Sequence, residues 1–204
     1  MAELSWESIE QQIANCRRCG LCKERHSIVL GEGNRRADIM LIGEGPGADE
    51  DAQGRPFVGK AGQLLDKMFS AIDITREELY ITNVVKCRPP GNRTPLDEEA
   101  EACLPILRMQ YALIHPKIVV CLGATATRHV YDPVARITRV RGQWLNKNGT
   151  LFIPTYHPAA LLRDESKKKD VWADLKSIQQ TYAKLRQNKT DFHSQADEHS
   201  ANFK

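Results

Sequence analysis

The stretch Asp38-Ile39-Met40-Leu41-Ile42-Gly43-Glu44-Gly45-Pro46-Gly47 runs from an unbroken apolar segment into a glycine-rich loop. Continuous hydrophobicity over so short a run is what a strand covered on both faces requires, so the segment is read as the first strand of a parallel sheet. The loop stays rich in glycine and acid as far as Gly59, and Ala61 to Ile72 then sets Leu64, Leu65, Met68, Phe69 and Ile72 on one helical face. Strand, loop and helix form one unit.

That unit recurs downstream. Leu79 to Val85 predicts a second strand, which feeds a loop rich in proline and glycine from Arg88 to Thr94. Thr94-Pro95 predicts a helix start, with Thr as cap, Pro at the first position and Asp97, Glu98 and Glu99 favoured by the helix dipole. The helix should reach Tyr111 or beyond, bent at Pro105. Lys117 to Leu122 is a third strand, followed by a short helix through Val130; Leu151 to Thr155 is a fourth, and Val171 to Leu185 is a closing amphipathic helix. Ahead of the first strand, Leu4 to Ala14 reads as a short amphipathic helix that delivers the chain to Cys16. The expected class is α/β, a three-layer α/β/α arrangement around a central, mainly parallel four-stranded sheet.

Composition agrees with a single globular unit. The 204 residues are 41% hydrophobic and 27% charged, which excludes a disordered, collagen-like or repeat protein. One domain is expected over residues 1–186, with a polar tail over 187–204. No run approaches the ~18 apolar residues of a membrane span, and no basic segment with an apolar core opens the chain, so the expected location is the cytoplasm. The net charge of +3, from 29 basic and 26 acidic residues, permits a local basic groove without requiring a polyanionic partner.

Six cysteines are present, three of them crowded at Cys16, Cys19 and Cys22. That crowding suits metal or cluster ligation better than a disulfide framework. Cys16 and Cys19 form a C-x2-C pair, while Cys87 and Cys103 come from a second segment. Four thiolates from two segments can hold a tetrahedral zinc or an iron-sulfur cluster, and spacing does not separate the two. Cys121 lies within an apolar strand and reads as a small buried hydrophobe, and Cys22 is left outside the ligand set.

Ligands bind at the carboxyl ends of strands in such sheets, and three of the four strand ends carry unusual residues. Gly43-x-Gly45-x-x-Ala48 formally satisfies a dinucleotide fingerprint, so a nucleotide-dependent oxidoreductase has to be weighed. Asp49, Glu50 and Asp51 would repel a pyrophosphate, and the expected helix starts only near Ala61, so that reading is set aside. What remains is Glu44 between glycines, the loop aromatic Phe57, the amide of Asn83 and His157 ahead of Pro158. Singly, each is most often a structural residue: a plug, a cap, a satisfied ring. Jointly, they describe a pocket for a planar heterocycle, with Phe57 stacking, Asn83 reading a pyrimidine edge and His157 donating to an oxygen that gains charge. Arg88 to Arg93, Arg163 and Lys167 to Lys169 are candidate phosphate contacts.

Four motifs in order carry a resemblance: Gly43-Glu44-Gly45-Pro46-Gly47, Gly54-Arg55-Pro56-Phe57-Val58-Gly59-Lys60-Ala61-Gly62, Thr82-Asn83-Val84-Val85-Lys86-Cys87-Arg88-Pro89-Pro90 and His157-Pro158-Ala159-Ala160-Leu161. Over roughly residues 13 to 185 the chain resembles the family 4 uracil-DNA glycosylases. The resemblance implies a [4Fe-4S] cluster on Cys16, Cys19, Cys87 and Cys103, and removal of uracil from single- or double-stranded DNA in base excision repair. It implies a monofunctional hydrolase, with Glu44 and His157 catalytic, Glu50 or Asp51 open as sharers of the Glu44 role, and Gly43, Gly45, Phe57 and Asn83 holding the base. Free uracil is the implied product, and a monomer without a membrane partner is expected. Gly45 stands where the best-known uracil glycosylases carry a catalytic Asp, so leaving-group stabilisation should weigh more than water activation. A crosslinking branch carries a nucleophilic His in a loop after the second strand, and Cys87 to Thr94 has no His. Glu44 separates the chain from family 5, whose first motif lacks this acid.

Overall fold

The computed structural model describes the backbone of residues 4–201 and the side chains of residues 4–187. The tail expected over 187–204 therefore lies almost wholly outside the described side chains. Strands β1 (Glu32–Gly33), β2 (Ile39–Gly43), β3 (Leu79–Asn83), β4 (Ile118–Leu122), β5 (Leu145–Lys147) and β6 (Thr150–Thr155) form one sheet in the order β1-β3-β2-β4-β6-β5. The inner four run parallel and the two edge strands antiparallel. The expected four strands are thus the core of a six-stranded sheet. The two extra strands are two and three residues long and carry Gly33, Asn146 and Lys147 in place of an apolar run, which left them without a hydrophobic signature.

Helices α1 (Trp6–Ala14), α2 (Ala48–Gln53), α3 (Lys60–Ser70), α4 (Asp97–Ile114), α5 (Gly123–Ala126), α6 (Ile137–Val140), α7 (Pro158–Arg163) and α8 (Lys168–Ala201) connect and cover the strands. All five residues of β2, of β3 and of β4 are buried, as their unbroken hydrophobicity requires. Ile39, Leu41, Ile81 and Val120 point to one face and meet Leu65 and Phe69 of α3, Leu161 of α7 and Leu175 of α8. Met40, Ile42, Val119 and Cys121 point to the other and meet Ala100 and Leu107 of α4. Ile9 and Ile13 of α1 pack on Ile106 of α4, outside that layer. Among the described residues, no helix is long and apolar enough to cross a membrane.

Two local expectations are corrected. α4 begins at Asp97 with Leu96 as its cap residue, not at Thr94-Pro95, because Glu99 reaches back to accept from the Leu96 N–H at 2.9 Å. A helix also opens directly after the glycine loop, α2, where the sequence predicted none before Ala61. Its start is fixed by Glu50, whose Oε2 accepts from the Gly47 N–H at 3.1 Å.

Candidate active site

β2 leads through the glycine loop to α3 on one face, whereas β4 sends the chain into α5 on the other, so a crevice opens between their carboxyl ends. Glu44 and Thr125 meet across it, the Thr125 hydroxyl donating to Glu44 Oε2. Thr125 was not singled out from the sequence; nothing in Gly123-Ala124-Thr125-Ala126 marks it until the sheet order brings the end of β4 beside that of β2.

A cavity of about 220 Å³ occupies the crevice, and Glu44, Gly45, Phe57, Asn83 and His157 all line it. Five of the six expected site residues thus face one space, and the sixth, Gly43, packs behind two of them. A Cβ on Gly43 would lie 2.4 Å from Asn83 Oδ1 and 2.6 Å from the Phe57 ring, so only glycine lets the end of β2 approach both. Asn83 is 1% exposed, and among the described residues its Oδ1 is the one buried side-chain polar atom without a hydrogen-bond partner. An unmet buried acceptor costs about 1–3 kcal/mol, so this atom is set up for a donor that arrives with a ligand.

Phe57 has φ of +54°, a conformation that bulky residues rarely adopt. Its neighbours hold it there. Glu50 Oε1 accepts from the N–H groups of Val58 and Gly59 at 2.9 Å each, and Arg76 donates to the Pro56 carbonyl at 2.7 Å. Gly62 lies so close that a Cβ would fall 1.8 Å from the Phe57 carbonyl oxygen. The strained backbone turns the ring into the cavity, 5.4 Å from the His157 ring and inclined to it by 30°.

His157 caps α7: its Nδ1 accepts from the Ala159 N–H at 3.2 Å. Burial, with Arg163 as a second influence, pushes its pKa down to about 4. The ring is therefore neutral near pH 7 and its proton sits on Nε2. Gly123 opposite, at φ of +88°, would bring a Cβ within 2.9 Å of the His157 Cβ, so the ring's seat also depends on a glycine.

The loop acids divide their work. Glu50 is committed to the backbone donors of Gly47, Val58 and Gly59, and Asp51, fully buried, accepts from the N–H groups of His26 and Ser27. Glu44 alone of these faces Thr125 across the crevice. The objection to a dinucleotide therefore does not rest on a late helix, since α2 follows the loop directly. It rests on Glu50, whose carboxylate fills the N-terminus of α2, where a phosphate would bind.

A second cavity is lined by Cys16, Cys19, Cys22, Cys87 and Cys103 together with Ile13, Ile28 and Ile106. The four cysteines expected as ligands are brought together, Cys22 stands beside them, and Cys121 lies apart, fully buried in β4. Burial pushes the Cys87 thiol up to about 11 and raises those of Cys19 and Cys103. Arg25 offsets part of this by donating to Cys87 Sγ at 3.2 Å. Among the described residues, no three of these side chains converge as a single ion requires. Four thiols around one space are a donor set that fits an iron-sulfur cluster.

A groove of about 600 Å³ runs on from the first cavity past Tyr156, Arg163 and Lys167. Lys167 is paired with Asp164, and Arg93 forks onto Glu99 at 2.8 Å through both terminal nitrogens. Arg163 thus lines the groove beside His157, while Arg93 also braces the start of α4.

A cleft of this kind, with an aromatic face, an unmet acceptor and a neutral imidazole donor, suits a flat ring bearing an N–H on its edge, as in proteins that hold a single nucleobase. The profile of the Uracil DNA glycosylase superfamily matches residues 30–176. The chain is 47% identical over 164 residues to a type-4 uracil-DNA glycosylase of Thermotoga maritima, covering 78% of this chain and 84% of that one. It is 43% identical over 185 residues to one of Sulfurisphaera tokodaii (86% and 84% covered) and 41% identical over 184 residues to one of Archaeoglobus fulgidus (85% and 92% covered). The chain belongs to the type-4 uracil-DNA glycosylases.

Proposed function

We propose that this glycosylase hydrolyses the N-glycosidic bond of deoxyuridine in DNA, with the base extruded into the cavity bounded by Phe57, Asn83 and His157. The observation that carries this reading is the orphaned Oδ1 of Asn83. Uracil presents N3–H as a donor to that acceptor, whereas cytosine presents a lone pair and would meet repulsion. Phe57 supplies the stacking face. As the bond between N1 and C1′ breaks, its electron pair passes to the base, and charge gathers on O2. The neutral Nε2–H of His157 donates a hydrogen bond to that oxygen, keeping its own proton.

Glu44, with one oxygen held by Thr125, uses the other to orient the water that adds to C1′ or to offset the sugar's positive charge. With Gly45 in place of a second acid, most of the barrier reduction falls to leaving-group stabilisation. Cys16, Cys19, Cys87 and Cys103 would hold a [4Fe-4S] cluster, which when bound would tether the N-terminal segment to the Cys87 loop and to α4. Arg163 and Lys167 would follow the phosphates along the groove, and the enzyme would act as a monomer in the cytoplasm.

An oligonucleotide bearing N3-methyluracil tests the base-reading geometry. Its base lacks the donor, so release should fall at least about a hundredfold below uracil; release at the uracil rate would contradict the assignment of Asn83.

A further inference from the structure

Lys86 stands between the two cavities and the mechanism above leaves it unused. Its side chain is 2% exposed, and its Nζ donates to Thr82 Oγ1 at 2.6 Å and to the Asn83 carbonyl at 2.7 Å. The same side chain lines the cysteine cavity together with Cys87 and Cys103. A buried ammonium without a counter-charge is costly, and a cluster ligated by four thiolates is anionic. Thr82 is anchored in turn, its hydroxyl donating to the Leu30 carbonyl at 2.7 Å. One side chain therefore bonds the backbone of the base-reading residue through its Nζ and also borders the thiol-lined space.

We propose that Lys86 is a positioning residue that couples the sites: the anionic cluster holds its ammonium in place, and the ammonium holds the Asn83 backbone so that Oδ1 faces the base. The inference rests on the reading of Asn83 and of the four cysteines given above. It predicts that the charge on Lys86 is felt at the cluster and that its hydrogen bond is felt at the base.

The test uses the cluster-loaded full chain as wild type, Lys86→Met and Lys86→Gln. Iron content, the reduction potential of the cluster and the affinity for free uracil as an inhibitor are measured alongside uracil release. Both variants should keep their iron and shift the potential to more negative values, because a nearby positive charge is gone. Lys86→Met should weaken uracil inhibition roughly tenfold, as expected for loss of a charged hydrogen bond; Lys86→Gln, which keeps a donor, should weaken it less. An unchanged potential, unchanged uracil affinity in the Met variant, or loss of iron from both variants would each overturn the proposal, the last leaving Lys86 a folding residue. Failure of the wild type to release uracil would instead contradict the proposed function, so the two outcomes are distinct.

Discussion

The Ala159 N–H donates to Nδ1 of His157 over 3.2 Å, and this one bond decides what His157 can do. With Nδ1 committed as an acceptor, the neutral ring must present Nε2–H to the cleft, so a helix cap doubles as the selector of the tautomer that the proposed mechanism uses. His157→Ala should lower the rate of uracil release about 100- to 1000-fold, the usual cost of deleting a donor to a developing oxyanion, while DNA affinity stays near wild type. Single-turnover kinetics would separate the two.

The depressed pKa of His157 has a consequence for stability. Its folded value of about 4 lies below the ordinary 6.5, so between those values the unfolded chain binds the extra proton. The stability His157 allows is therefore present above pH 6.5 and is lost as pH falls through 4, by up to about 3 kcal/mol. Denaturant titrations from pH 7 to 4 should show His157→Gln losing less stability over this window than wild type.

Gly43→Ala should inactivate a protein that still folds. The new methyl would displace both Asn83 Oδ1 and the Phe57 ring, the two groups that bound the proposed base pocket. Circular dichroism with a uracil-release assay checks this, and retention of more than about a tenth of the activity would argue against so tight a pocket.

Thr125→Val should reduce turnover roughly tenfold, since it removes one hydrogen bond that orients Glu44. Glu44→Gln combined with Thr125→Val should be no worse than Glu44→Gln alone if Thr125 acts only through the carboxylate, a comparison made by a double-mutant cycle.

Cys103→Ala should lose iron, whereas Cys22→Ala should keep its full iron content, although both side chains line the same cavity. Iron analysis and the visible absorption of the purified proteins decide between them.

Much of this was legible in the sequence because the signals were chemical and local. The apolar runs at Ile39 to Ile42 and Ile118 to Leu122 could only be strands buried on both faces, and the sheet places them so. Glu44, Asn83 and His157 stood out as polar groups at strand ends and Phe57 as an aromatic in the glycine-bracketed loop, and one cavity gathers them. What stayed hidden depended on pairing across the sheet. The edge strands at Glu32–Gly33 and Leu145–Lys147 owe their conformation to neighbours rather than to composition. Thr125 matters only because β4 lies beside β2. The role of Glu50 was masked for a related reason: its three backbone donors come from Gly47, Val58 and Gly59, positions that only the folded loop brings together.

The most direct test of glycosidic-bond hydrolysis is a denaturing gel of an end-labelled oligonucleotide containing one uracil, incubated with the cluster-loaded protein and run with and without alkali. Strand breakage is expected at the uracil only after alkali, because hydrolysis of the glycosidic bond leaves an intact backbone with an abasic site. An oligonucleotide that remains whole after alkali, or one shifted upward as a stable protein adduct, would contradict it.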